Sequence, residues 1–193
     1  MRPKIFMGLL ILVGSLLWGG EGVWARDMTA REKKQAEKEL KQLRYEQARQ
    51  ALESQSFVLV ADRLSLPRGN TVYLTGGDNF VMLDQGNTIV QYALCSQHLH
   101  QNGAGGFTFA GKLSEASHRT TSKGEEVYSF KCVGKMGGSI IDVSLYPGDN
   151  YARALLNGTG KTVFWGKILS VEEANMFVGH EYIPIPVGMY PSR

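Results

Sequence analysis

Gly158-Thr159-Gly160-Lys161-Thr162 comes nearer to a reactive motif than any other segment of the chain, since it spells the end of a phosphate-binding loop. The complete motif needs a glycine five residues before Gly160, and Leu155 stands there. It must also open a helix, whose N-terminal amides hold the phosphate. Val163-Phe164-Trp165 follows instead and reads as a strand. The segment is therefore read as a Gly-rich hairpin.

The other reactive residue types are equally short of partners. His98 and His100, two apart on an extended segment, share one face and could hold a metal. A stable site needs more ligands, and no spacing brings His118, His180 or Asp78 to them. Glu125-Glu126 and Glu172-Glu173 each sit beside a turn, where solvated carboxylates are expected; a catalytic carboxylate needs burial to shift its pKa. Cys95 has only His98 nearby, in a loop, and no Gly-x-Ser-x-Gly elbow occurs, because Gly137-Gly138-Ser139 begins a strand. These residues predict no catalytic site, no metal and no cofactor.

The N-terminus does carry a message. Met1-Arg2-Pro3-Lys4 is basic, Ile5 to Leu17 is apolar, and Val23-Trp24-Ala25 ends in small residues. This is the layout of a secretory signal peptide, with cleavage expected after Ala25. The apolar run is shorter than the ~20 residues of a membrane span. No cysteine precedes Cys95, so no lipid-anchoring cysteine follows the apolar run. A periplasmic, unanchored chain is the expectation. Residues 26–53 hold eight basic and six acidic side chains, and residues 54–193 hold 11 of each. The positive charge thus belongs to the leader and helix rather than to a basic stripe on the main domain, which argues against nucleic-acid binding.

Thr29 to Glu53 contains no Gly or Pro and is rich in Ala, Glu, Lys, Gln, Arg and Leu, so residues 26–53 are read as a charged helix. Thr29 with Glu32 spells a capping box, and Glu37 with Lys41 has the favourable i,i+4 order. Apolar residues gather late, at Tyr45, Ala48, Ala51 and Leu52, so only the C-terminal half is expected to dock.

From Phe57 the period changes to that of strands, expected at 57–61, 70–75, 79–84, 88–95, 106–113, 125–133, 139–146, 151–156 and 162–169. Turn segments such as Gln85-Gly86-Asn87 and Pro147-Gly148-Asp149-Asn150 separate them and are too short for parallel crossovers. The fold class is mainly β: an antiparallel meander forming a barrel or a flattened lipocalin-like two-layer sheet, preceded by one N-terminal α-helix. The β domain spans residues 54–180, and residues 181–193 form an extended Pro-containing tail. Alternate prolines in Tyr182-Ile183-Pro184-Ile185-Pro186-Val187 keep that tail out of any central strand.

Alternation turns Tyr128, Phe130 and Cys132 inward, with Phe107, Phe109, Leu113, Ile141, Val143 and Leu145; Thr108 and Lys112 face out. The faces of 57–61 and 162–169 stay open, both being apolar. Cys95 and Cys132 fall on strands flanking 106–113, roughly 9–10 Å apart. A disulfide requires Cα atoms within about 7 Å, so none is expected.

One pattern runs through the whole domain. It comprises Asp78-Asn79-Phe80-Val81-Met82-Leu83, Ile89-Val90-Gln91-Tyr92-Ala93 and Asn102-Gly103-Ala104-Gly105-Gly106-Phe107-Thr108-Phe109-Ala110-Gly111. Ser139 to Leu145-Tyr146-Pro147-Gly148 follows, then Gly166-Lys167-Ile168-Leu169 and Phe177-Val178-Gly179. With the charged helix and the entry Ser56-Phe57-Val58-Leu59-Val60-Ala61-Asp62-Arg63, the chain over residues 30–180 resembles the exported bacterial domain-of-unknown-function family 4251. The resemblance implies an exported β domain with no assigned activity and supplies no site residues. Cys95, Cys132, the tail after Gly179 and the lack of a lipoprotein leader depart from the family pattern.

The expected function is that of a non-catalytic binding domain of the bacterial cell envelope. A small apolar ligand would be lined by the interior aromatics Phe107, Phe109, Tyr128, Phe130 and Trp165. The competing expectation for those rings is that they simply fill the core. The alternative function is a structural or protein-interaction module, with an envelope protein as partner, acting through the helix and the tail.

Overall fold

The computed structural model describes residues 29–74, 77–93, 106–135, 137–157, 161–176 and 178. The signal segment, Cys95, His98, His100, Gly158–Gly160 and the tail at 181–193 lie outside the described residues. The chain divides into two compact units, residues 1–35 and 36–193. In the first, Thr29 N–H donates to Glu32 Oε2 at 2.7 Å and Glu32 N–H donates to Thr29 Oγ1 at 3.3 Å, which is the predicted capping box. It opens helix α1, Ala30–Glu53.

In the second unit, Lys41 Nζ lies 2.8 Å from Glu37 Oε1. Residues 36–44 of α1 are exposed, and burial begins at Ala48, Ala51 and Leu52, as the late gathering of apolar residues requires. The helix stops without glycine. Gln55 adopts φ 58°, its N–H donates to the Leu52 carbonyl, and Ser56 N–H donates to the Ala51 carbonyl. This Schellman arrangement satisfies the last helical carbonyls and aims the chain into the sheet.

Among the described residues nine strands follow: β1 Phe57–Ser65, β2 Thr71–Tyr73, β3 Phe80–Asp84, β4 Asn87–Ala93, β5 Gly106–Thr120, β6 Glu126–Gly134, β7 Gly137–Leu145, β8 Tyr151–Asn157 and β9 Lys161–Leu169. All pairings are antiparallel, and β9 returns to β1 from Val58↔Leu169 to Ser65↔Val163. That closes the sheet into a barrel. β2 and β3 share one edge of β1, β2 against Arg63–Ser65 and β3 against Phe57–Val60, so they act as one interrupted stave of an eight-strand closure. The barrel is the form taken; the flattened alternative is not.

β5 extends past the expected end at Leu113 to Thr120. The added residues, Ser114–Thr120, are exposed and, apart from Ala116, polar, so alternation could not mark them, yet they pair with β6 beyond a bulge between Leu113 and Glu115.

Register fixes the inner face. Tyr128, Phe130, Cys132, Ile141, Val143 and Leu145 are buried there, with Phe57, Leu59, Leu83, Phe164 and Ile168. Phe57 meets both Tyr128 and Phe130 edge-on, with ring centroids 6.1 and 6.3 Å away. Cys132 is a buried free thiol. Thr108 does face outward, but it is not solvated: its Oγ1 donates to Gln91 Oε1 at 2.8 Å, and both side chains are buried. Pairing of their polar atoms makes that burial tolerable.

Candidate functional site

In a meander, successive turns alternate between the two ends of the barrel. One end therefore collects the α1–β1 turn at Ser54–Ser56, the β3–β4 turn at Gln85–Gly86, the β7–β8 turn ending at Asn150, and the exit of β9 into Ser170. The buried stripe of α1, Ala48, Ala51 and Leu52, belongs to the same core cluster as Phe57, Leu83 and Ile168, which lie toward this end. Beside it opens a cleft of about 750 Å³, lined from the helix by Arg44 and Gln47 and from the rim by Ser56, Asp84, Asn150 and Ser170.

Hydrogen bonds hold the rim side of the cleft. Ser56 Oγ donates to Asp84 Oδ1 at 2.8 Å, tying the start of β1 to the end of β3. Asn150 Nδ2 donates to the Ile168 carbonyl at 2.9 Å, and Ile168 N–H donates to the Asn150 carbonyl at 2.9 Å. The Oδ1 of Asn150 is buried and meets no donor among the described residues. Gln50, Ser54, Gln85, Glu172 and Glu173 complete the polar lining. Amides, hydroxyls, three carboxylates and one guanidinium suit a polar ligand that both donates and accepts hydrogen bonds.

Little of this was marked in the sequence. The available signal was the helical spacing of Arg44, Gln47, Ala48 and Ala51, which shares a face, combined with the rule that alternate turns share an end.

The residues singled out from sequence separate. Tyr128 and Phe130 touch, with centroids 5.6 Å apart, and are buried to 3% and 2% exposure within the core. Burial pushes the Tyr128 hydroxyl pKa up, and the neighbouring Gln55 amide partly offsets this. Phe109 is half-buried against the core, and Phe107 stacks on Tyr92 at 5.7 Å. Trp165 does not join the interior. Phe164 and Gly166 take the inward positions on β9, so alternation turns Trp165 out. There it stacks on Tyr146 with ring planes 6° apart, lies under the Arg63 guanidinium at 4.6 Å, and donates from Nε1 to Ser65 Oγ at 3.2 Å.

Glu126 is also a correction. Its place beside Glu125 and a turn predicts a solvated carboxylate, but it faces inward at the start of β6 and is only 6% exposed. Its Oε2 accepts from Thr120 Oγ1 at 2.9 Å and lies 2.9 Å from His118 Nε2, because β5–β6 register places Thr120 opposite Glu126 and His118 opposite Tyr128. Tyr45 of α1 senses it: burial first, then the Glu126 charge, holds the Tyr45 hydroxyl pKa up. Glu172 and Glu173 are exposed, as expected. Among the described residues, no group of three or more His, Cys, Asp or Glu could hold a metal ion. No helix there is long and apolar enough to cross a membrane.

Comparison with known proteins agrees with the barrel. A crystal structure of a DUF4251 family protein from Bacteroides eggerthii DSM 20697 is similar over 72% of this chain and 95% of that one, at 30% identity and a TM-score of 0.61. No curated protein matches the chain. Residues 39–164 match the family described as Domain of unknown function (DUF4251), a match running from α1 into β9, and the chain belongs to that family.

Proposed function

We propose that this chain is an exported, non-catalytic binding domain of the bacterial cell envelope, and that its binding site is the cleft between α1 and the barrel rim. The observation that carries the reading is the cleft itself. Its volume of about 750 Å³ falls within the ~300–1,000 Å³ of small-molecule sites, and its lining combines amide, hydroxyl and charged groups with the apolar Ala48, Ala51, Ile168, Leu169 and Val171. The occupant is accordingly a polar ligand such as a short oligosaccharide or peptide. A small apolar ligand inside the barrel is less well supported, because Tyr128 and Phe130 pack on Phe57 and Trp165 lies outside. Export is supported by the basic, apolar and small-residue segments of residues 1–25.

Titration of the isotopically labelled protein with neutral oligosaccharides and short peptides tests the site. The amide signals of Gln47, Ser56, Asn150 and Ser170 are expected to shift, and Gln47→Trp, which fills the cleft from the exposed side of α1, is expected to abolish the response. Shifts confined to other surfaces, or indifferent to Gln47→Trp, would reject the cleft.

A second reading, a protein-interaction module, is favoured by Leu40 and Leu43. They are exposed at 45% and 55% and share one face of α1 among charged neighbours. Removing residues 26–43 should then abolish partner capture while leaving the melting temperature of the barrel nearly unchanged.

A further inference from the structure

β5 outruns its neighbour. β4 pairs with it only from Ala93↔Gly106 to Asn87↔Lys112, and Leu113 N–H donates to the Gly86 carbonyl as the last bond on that side. The next seven residues, Ser114-Glu115-Ala116-Ser117-His118-Arg119-Thr120, pair with β6 alone. Among the described residues no backbone pairs with their other edge, and all seven are exposed. Such an edge offers alternating N–H and C=O groups to another strand.

Natural edges are usually guarded by a bulge or by charge, and both are present here: the bulge lies between Leu113 and Glu115, and the charges are Glu115 and Arg119. These charges have opposite sign and sit symmetrically about Ser117. A second copy laid antiparallel along the same edge, with a two-fold axis at Ser117, would place Glu115 of each chain opposite Arg119 of the other. Ala116 would face His118, and Ser114 would face Thr120. Centring the axis on Ala116 puts Glu115 opposite Ser117 instead, and centring it on His118 puts Arg119 opposite Ser117. Only the Ser117 register pairs unlike charges at both ends. Glu115 is free to take part, being 77% exposed and only 3.7 Å from Lys131 Nζ in a loose surface pair.

We propose that the Ser114–Thr120 edge of β5 is a self-association surface, through which two copies of this chain join their barrels by one antiparallel strand pair. The interface is isologous, as a two-fold dimer requires. One short ladder buries less than the ~1,200 Å² of a standard interface, so the dimer is reversible and concentration-dependent.

Sedimentation velocity on the full-length chain across a concentration series, at low and high salt, tests this. The unmodified protein should show a monomer–dimer equilibrium that weakens with salt. Glu115→Arg alone and Arg119→Glu alone should each weaken it by at least about tenfold, because like charges then oppose each other at both ends. Mixing the two single variants should restore association as a heterodimer, and the double variant E115R/R119E should restore the homodimer. Both positions are exposed, so melting temperatures should stay close to that of the parent. A chain that is monomeric throughout, a dimer indifferent to the single reversals, or single variants that fail to associate when mixed would each overturn the proposal.

Discussion

His118 Nε2 lies 2.9 Å from Glu126 Oε2, and this contact joins two neighbouring strands at the end of the barrel where α1 docks. Glu126 is almost wholly buried, whereas His118 is about one-third exposed on its long β5 extension. A carboxylate taken out of water needs hydrogen-bond partners to offset its desolvation, and here they are His118 and Thr120. His118→Ala should lower stability by about 1–2 kcal/mol, since Glu126 keeps its burial and loses one partner. Glu126→Leu combined with His118→Ala should cost less than the two single losses added together. Urea unfolding of the four proteins of that cycle should give a coupling of roughly 1 kcal/mol. Simple additivity would show that the contact is not energetically engaged.

Cys132 provides a chemical readout of the packed interior. Its thiol faces Gly111 across the β5–β6 pair, where a Cβ at residue 111 would come within 2.4 Å of Sγ. Burial pushes its pKa above the ordinary value of 9.0, with a smaller opposing effect from Thr88. The thiol should therefore react slowly with maleimide in the folded protein and quickly in denaturant. The protonated form is the one the fold favours. Its contribution to stability is fully present below about pH 9 and is lost as pH rises through the raised folded value. Cys132→Ala should remove that part of the alkaline loss. The remainder belongs to Tyr45, Tyr92, Tyr128, Tyr146 and Tyr151, whose hydroxyls burial also shifts upward.

The barrel was legible in the sequence because its staves are short, alternate cleanly, and end at glycine- and asparagine-bearing turns. Tyr128-Ser129-Phe130-Lys131-Cys132 shows why: large apolar residues at every second position leave one face to bury. The capping box at Thr29 was equally plain, since it depends on two residues three apart. Alternation carries no information where both faces share one character. Ser114–Thr120 carries polar residues on both faces and only Ala116 as an apolar one, so nothing in its pattern separates a solvated strand from a loop. On β9, Val163, Phe164 and Trp165 are all apolar, and the inward choice depended on closure against β1.

The site was less legible than the fold for a related reason. The cleft is assembled from turns and from one helix face, whose residues are ordinary surface types with no required spacing. Glu126 illustrates the same limit. Its partners are His118 and Thr120 on the neighbouring strand, relationships that depend on register rather than on neighbours in sequence.

Closure of the barrel supplies the last prediction. Gly166 pairs with Ala61 where β1 carries a bulge between Ala61 and Arg63. A Cβ at Gly166 would lie 1.9 Å from the Val60 carbonyl oxygen and 2.8 Å from the Ala61 Cα, both backbone atoms that no side-chain rotation can move. Gly166→Ala must therefore push β1 and β9 apart at the seam, and overpacking of this kind costs about 1–3 kcal/mol, occasionally more. Gly86 is a useful control, with no atom within 4 Å of its added Cβ. Gly86→Ala should pay only for its positive φ of 76° in the β3–β4 turn. Thermal melts should rank Gly166→Ala well below Gly86→Ala. Amide exchange should speed selectively along Val58–Ser65 and Val163–Leu169 in the Gly166 variant, because those residues share the seam. Equal melting temperatures for the two variants would mean that the β1–β9 seam yields easily and that closure contributes little to stability.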